Sequence, residues 1–340
     1  MLYVTIPTYN RAVALKATLD LILPQLHEGA QCIVFDNAST DETPNVIAAA
    51  QRQSPYLKTI RHEVNIGCGA NCLRCFEIAP TGWIWLLSDD DAPAPDAIST
   101  ITTEIAQYPD ACYINFATAR TSGWDLNRKS TKVFTGVVGL VENFDSWGNL
   151  VLLTAGVHNL TLNRPYLRFA YLETASFAPH VALTLNTLAI NPTFKTVQSC
   201  RCIATYLAPT GFNLEVVTLG VYRLLALVPD MIARRIFAEK IYEVCPPTPA
   251  HGAVRKILSG MRTGDAALSQ DIVRYSFLVA TLHRYRLLAV IAIVCQTISP
   301  YGPRQILRWI HSLTRSSRGN DKDHHVPTTF IEQLRSDARS

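Results

Sequence analysis

Trp83-Ile84-Trp85-Leu86-Leu87-Ser88-Asp89-Asp90-Asp91 is the stretch that decides the fold. Five bulky apolar residues run without interruption toward three adjacent carboxylates, and Ala92-Pro93-Ala94-Pro95 turns the chain straight afterwards. A short apolar run bounded by turn residues predicts a strand covered on both faces. Its acids then sit at the C-terminal end, where ligands bind in open α/β sheets. Clustered carboxylates repel one another unless a cation offsets their charge. A hard divalent ion with oxygen ligands, Mg²⁺ or Mn²⁺, suits this set, and such an ion normally arrives with phosphates. A solvated acidic turn is the plain alternative for the triplet taken alone.

Outward from this strand the chain alternates. Residues 2–6 predict a first strand ending at Pro7, followed by the polar turn Thr8-Tyr9-Asn10-Arg11. Leu15, Leu19, Ile22 and Leu26 recur at helical spacing. Residues 32–35 predict a second strand, again ending in polar residues, Asp36 to Asp41. Thr43-Pro44 marks a helix start, with Val46, Ile47 and Ala50 on the buried face. A third strand is expected at 57–61, a helix through Leu73 and Phe76, the acidic strand fourth, a helix from Pro95, and a fifth strand at 112–117. This β-α alternation predicts a doubly wound, mostly parallel α/β sheet. Three polar strand ends, Thr8–Arg11, Asp36–Asp41 and Asp89–Asp91, then gather along one edge as one site. Residues 119–150 read as irregular, 151–162 as a strand, 179–190 as a helix and 194–207 as strand-rich. Helices are expected over 214–243, 250–262, 266–298 and 303–315, and a disordered polar tail over 316–340.

The bulk composition fits an ordered globular protein: 340 residues, 48% hydrophobic and 17% charged. No run of about 18 apolar residues is present to span a bilayer. The chain opens directly on strand-like residues, so no secretory signal is expected. Nine cysteines, an odd number, set in apolar patterns point to reduced thiols in the cytoplasm. Cys68, Cys72 and Cys75 read as a buried helical stripe rather than a metal cluster. Residues 211–340 hold 17 Lys/Arg against 10 Asp/Glu, whereas residues 1–210 hold 14 against 17. In the basic part, Arg284 and Arg286 precede apolar residues 287–294. Arg304, Arg308 and Arg315 then punctuate Ile306, Leu307, Trp309, Ile310 and Leu313. Such a helix can lie in the interface of an anionic membrane, or pack as an ordinary helix.

The first turn, Pro-Thr-Tyr-Asn-Arg, holds no glycine, and no P-loop lysine follows. NAD-binding and ATP-hydrolysing readings therefore fall away. What the motifs do resemble, in order and spacing, is the family 2 glycosyltransferases. These motifs are Ile6-Pro7-Thr8-Tyr9-Asn10-Arg11, Asp36-Asn37-Ala38-Ser39-Thr40-Asp41, Asn65-Ile66-Gly67 and Leu87-Ser88-Asp89-Asp90-Asp91. The Ser-Asp-Asp-Asp and Asp-Asn-Ala-Ser-Thr-Asp forms resemble transferases of bacterial surface polysaccharides, including abequosyl- and rhamnosyltransferase-like members. The resemblance implies a GT-A fold over residues 1–210, with a nucleotide-sugar half (1–118) and an acceptor half (119–210). A helical C-terminal region (211–315) and the tail (316–340) follow. It implies an inverting, metal-dependent transfer from a nucleotide-diphospho-sugar donor to a glycan or lipid-linked saccharide. The setting would be cytoplasmic, peripheral on the inner face of the membrane, with no nucleic-acid partner. Pro7, Thr8, Tyr9 and Arg11 would surround the base and first phosphate, and Asp36 and Asn37 would read the base edge. Asn65, Gly67 and Asn71 would line the nucleotide loop. Asp89 and Asp90 would meet the ribose and sugar. Asp91 would hold the metal, with Asp90 the alternative ligand if the register slips by one.

Inverting transfer needs a base for the incoming hydroxyl. Relatives commonly supply an Asp from a Glu-Asp pair opening a helix, and the matching stretch here is Pro179-His180-Val181-Ala182-Leu183. His180 is the expected base, since an ordinary histidine titrates at about 6.5 and a helix N-terminus favours its neutral form. Glu173, seven residues upstream, is the carboxylate alternative. Two other classes remain open: a nucleotidyltransferase, which usually carries a Gly-rich basic first loop, and a non-catalytic nucleotide- or carbohydrate-binding protein.

Overall fold

A computed structural model describes residues 1–120, 128–207 and 221–244. Met1–Pro246 form one compact unit. The helices expected over 250–262, 266–298 and 303–315, the candidate membrane segment and the tail all lie outside the described residues.

The strands are β1 (Leu2–Thr8), β2 (Ala30–Asp36), β3 (Leu57–Arg61), β4 (Trp83–Leu86), β5 (Ala92–Pro93), β6 (Ala111–Arg120), β7 (Lys132–Thr135), β8 (Gly156–Asn159) and β9 (Lys195–Tyr206). They form one sheet in the order β3-β2-β1-β4-β8-β6-β9-β5, with β7 also beside β9. β1 to β4 are parallel. β8 runs antiparallel between β4 and β6, and β6 pairs parallel with β9. The sheet is thus mixed but mostly parallel in the half that carries the motifs.

Both faces are covered, which explains why the strands read as unbroken apolar runs. Leu2, Val4, Ile6, Trp83, Trp85 and Leu87 face one side. There they meet Leu15, Leu19 and Ile22 of α1 (Ala12–Ile22), Ile47 of α2 (Thr43–Gln53), and Ile98 and Ile101 of α4 (Ala97–Gln107). Tyr3, Ile84 and Leu86 face the other side, against Leu73 and Phe76 of α3 (Cys68–Ile78) and Leu183 of α9 (Pro179–Ile190). Each such side chain, fully buried, contributes about 1.5–3 kcal/mol.

Three segments differ from the sequence reading. Residues 119–150, expected to be irregular, hold β7 and two helices, α5 (Gly136–Asn143) and α6 (Trp147–Val151), while Trp124 lies outside the described residues. Gly136 and Gly139 weaken the helical signal of α5, yet Val137, Leu140 and Val141 are buried. The strand expected over 151–162 shrinks to β8. Asn159 ends it by accepting the Thr161 N–H at 3.1 Å, which opens the short α7 (Leu160–Asn163). A short α8 (Leu167–Tyr171) follows. The helix expected over 214–243 is, in its described part, a 3-10 turn (Tyr222–Leu227) and then α10 (Met231–Val244). Pro229 lies between them, and Asp230 Oδ1 accepts the Ala233 N–H at 2.8 Å to start α10.

Candidate active site

Register alone brings the polar strand ends together. Thr8 pairs with Asp36, and Asp36 with Arg61. Thr5 pairs with Leu86, so Thr8 and Asp89 each lie three residues beyond a shared rung. They meet there: the Thr8 hydroxyl donates to Asp89 Oδ2 at 2.7 Å. The Arg11 Nε lies 3.1 Å from Asp89 Oδ1, and its Nη2 is bonded to Asp90. Ser88 Oγ donates to the other Asp90 oxygen at 2.6 Å. From below, Thr18 of α1 directs its hydroxyl at the carbonyls of Asp89 (3.1 Å) and Asp91 (3.0 Å), clamping the loop. Asp91 accepts from the Thr154 hydroxyl and, at 3.3 Å, from the Leu207 N–H.

Asp89 and Asp91 are 6% and 2% exposed. Burial pushes the Asp89 carboxyl up to about 6, against the opposing pull of the Thr8 hydrogen bond and the Arg11 charge. Burial pushes Asp91 up to about 7, opposed by the Thr154 bond and reinforced by the neighbouring Asp90 charge. Burial thus disfavours the charged form of both carboxyls, which a cation placed against them would restore. Among the described residues no group of three or more His, Cys, Asp or Glu side chains is arranged to hold a metal ion. An ion held by one or two carboxylates and a substrate's phosphates needs no such cage. Asp89 and Asp91 supply hard oxygens of the kind such an ion takes, but both are buried and each oxygen already has a partner: Thr8 and Arg11 at Asp89, Thr154 and Leu207 at Asp91.

The second polar cluster flanks the first. Asn37 Nδ2 donates to Asn65 Oδ1 at 2.8 Å, and Asn37 Oδ1 accepts the Ile66 N–H at 2.9 Å. Asn65 Oδ1 also takes the Gly67 N–H at 2.8 Å, and Gly67 turns the chain with φ 85°, a conformation that favours glycine. Asn10 (φ 52°) and Ala38 (φ 63°) are held in the left-handed region on the facing turns, where strain tends to accompany ligand loops. Tyr9, adjoining Pro7 and Thr8, is 41% exposed.

Three expected nucleotide-side residues, Asp36, Asn37 and Asn71, are buried. Asp36 is buried; its Oδ1 accepts the Ser39 N–H at 3.0 Å and its Oδ2 is bonded to Arg61. Asn71 is buried because it ties α3 to β2, donating to the Phe35 carbonyl at 3.0 Å, with His62 Nε2 2.9 Å from its Oδ1. Asp41 starts two helices at once, accepting from Ala12 N (3.2 Å) and Thr43 N (3.0 Å). Cys72 and Cys75 are buried as the stripe predicts, but Cys68 is exposed.

The two base candidates sit differently. Glu173 is 17% exposed at its side chain and pairs with Arg223 Nε at 2.9 Å. The next residue backs onto the first turn of α3: a Cβ added at Gly69 would lie 2.6 Å from the Thr174 carbonyl oxygen. His180, in the first turn of α9, is 1% exposed, so the structure seals the expected base instead of presenting it. Its polar neighbour is the Val151 backbone, and neither ring nitrogen makes a hydrogen bond of normal geometry. His158, on β8, is equally buried, with Phe76 and Tyr113 rings 4.9 and 4.7 Å away.

Burial lowers His180 to about 4 and His158 well below the usual range. A depressed histidine means the unfolded chain binds more protons between about 6.5 and 4, so stability falls as pH drops through that window. The gap for His180, about 2.5 pH units, corresponds to about 3 kcal/mol. Asp89 and Asp91, raised in the folded state, act in the opposite sense, so only a difference isolates the histidine. His180→Leu is expected to gain about 3 kcal/mol relative to wild type between pH 7 and pH 4. Urea unfolding of both proteins across that range checks it, and a pH-independent difference would refute it.

Sequence reasoning missed Ser39, Arg61, Thr18, Thr154 and Arg223. Arg61 had a usable signal, since it ends β3 beside an acid-ended strand. The others act through tertiary contacts without a local pattern.

Residues 3–171 match the family model described as Glycosyl transferase family 2. Abequosyltransferase RfbV of Salmonella typhimurium is 30% identical over 124 residues, which are 36% of this chain and 36% of that protein. The chain matches only about a third of the length of its curated relatives. In structure, S. aureus TarS 1-349 in complex with UDP-GlcNAc superposes with a TM-score of 0.61 at 14% identity, covering 86% of this chain and 88% of that one. Mannosyltransferase PcManGT from Pyrobaculum calidifontis, in complex with GDP-Man and Mn²⁺, gives a TM-score of 0.51 at 14% identity, covering 87% of each chain. The fold is that of the GT-A glycosyltransferases.

Proposed function

From a chain whose residues 3–171 form a glycosyl transferase family 2 domain, we propose an enzyme that moves a sugar from a nucleotide-diphospho-sugar to a glycan or lipid-linked saccharide, with inversion. The observation that carries this reading is the carboxylate edge, where Asp89 and Asp90 meet Thr8 and Arg11, and Asp91 is held by Thr154, beside the Asn37–Asn65 turn. Tyr9 offers an exposed ring to a base, and Asn37, held by Asn65 and the Ile66 N–H, borders the base edge. Arg11 brings fixed positive charge to the place where the donor's phosphates would lie. Asp91, with Asp89, is the set that would hold Mg²⁺ or Mn²⁺. That ion would supply Lewis-acid neutralisation of the departing diphosphate.

Glu173 is the base we assign, because it is partly exposed and its loop packs against the first turn of α3, just after the Asn65–Gly67 turn. His180 is the second reading, favoured by its two unpartnered ring nitrogens. No helix among the described residues is long and apolar enough to cross a membrane. Peripheral contact with an anionic surface through residues 284–315 belongs to the same proposal.

The test is a thermal-shift screen of the full chain against UDP-, GDP-, CDP- and dTDP-sugars, with and without Mn²⁺. A donor at a hundredfold excess over its Kd should add about 2.7 kcal/mol to stability. Product analysis with the hit then separates transfer from binding. Stabilisation without hydrolysis or transfer would leave a binding protein, and no stabilisation by any donor would remove the reading.

A further inference from the structure

Thr154 stands in the turn before β8, outside every motif of the sequence, yet it is fixed at three points. The Trp85 indole N–H donates to its carbonyl at 2.8 Å. The Ser88 N–H donates to its hydroxyl oxygen at 3.1 Å. A threonine hydroxyl has one hydrogen and two lone pairs. With Ser88 occupying a lone pair, the hydrogen is directed at Asp91 Oδ2, with which the hydroxyl is bonded. Both Trp85 and Ser88 belong to the stretch that carries Asp91, so the acidic strand orients the very hydroxyl that orients its own carboxylate. The other oxygen, Oδ1, takes the Leu207 N–H from the end of β9 at 3.3 Å.

We propose that Thr154 is a positioning residue: its hydroxyl, oriented by the Ser88 N–H, sets the rotamer of Asp91 so that the carboxylate can receive a divalent cation. This rests on the reading of Asp91 as the metal carboxylate. Residues that hydrogen-bond a metal ligand fix its direction, and losing one typically weakens metal affinity about 10–100-fold. Thr154 is fully buried, so solvent cannot replace its hydroxyl when the side chain is changed.

The experiment compares wild type, Thr154→Val and Thr154→Ser as full chains. Mn²⁺ binding is read by electron paramagnetic resonance of the free ion, in the presence of UDP, GDP, CDP and dTDP in turn, with no sugar present. Melting temperature is recorded in parallel. Thr154→Val is expected to bind Mn²⁺ about 10–100-fold more weakly, while Thr154→Ser, which keeps the hydroxyl, returns to within about threefold of wild type. The serine variant also guards against a valine variant that folds poorly. Wild-type Mn²⁺ affinity in a folded Thr154→Val would overturn the positioning role alone. A wild-type protein that binds no Mn²⁺ with any nucleotide would overturn it together with the metal reading.

Discussion

Asp91→Ala is expected to lower sugar transfer by about 10³-fold or more while the chain stays folded. A bound divalent ion contributes several kcal/mol of charge stabilisation to a departing diphosphate, and every 1.36 kcal/mol is a factor of ten in rate. The folded state should bear the change. Burial already disfavours the charged form of Asp91, so removing the carboxylate also removes a desolvated charge. What is lost is hydrogen bonding from Thr154 and Leu207, at about 1 kcal/mol each. Asp90→Ala is the paired control, because Asp90 is bonded instead to Arg11 and Ser88. The measurement is single-turnover transfer with added Mn²⁺, alongside thermal melting. Undiminished transfer in EDTA, or an active Asp91→Ala beside an inactive Asp90→Ala, would move the metal role off Asp91.

How far the sequence reaches is visible residue by residue. β4 was legible because a strand buried on both faces must be apolar throughout, so its acids mark its end. The meeting of Thr8 with Asp89 was legible at the level of the sheet edge, since parallel strands carry their C-terminal ends to the same side. The fate of Asp36 was not. Its carboxylate is taken by Arg61 from an adjacent strand, a pairing set by register that no local pattern reveals. Thr154 is harder still, since its role comes from a hydroxyl held between Ser88 and Asp91. For α5, two glycines hid a helix whose stability comes from packing rather than propensity. For α9 the start at Pro179 was predictable, but the sealing of His180 was not. Nine of its twelve residues are buried, so a position in the first turn does not by itself bring exposure.

That burial underlies the second large effect. Glu173→Ala is expected to slow the chemical step by 10²–10⁴-fold, the usual contribution of a positioned general base, with donor binding unchanged. His180→Ala should transfer sugar at a rate within about threefold of wild type by the same logic, because a ring that is 1% exposed does not reach an acceptor hydroxyl arriving from solvent. Glu173 meets the geometric requirement better, being partly open and carried on a loop that packs against the first turn of α3 at Gly69. Arg223, paired with it at 2.9 Å, holds its carboxylate in place. Glu173→Gln separates the roles of the side chain, since it keeps much of the packing and cannot accept the proton. The decisive comparison is the single-turnover rate for Glu173→Gln, Glu173→Ala and His180→Ala, with donor affinity measured independently for each. If His180→Ala binds donor normally but does not transfer, while both Glu173 variants turn over near the wild-type rate, the base is the histidine. The helix start would then have to open to admit the acceptor.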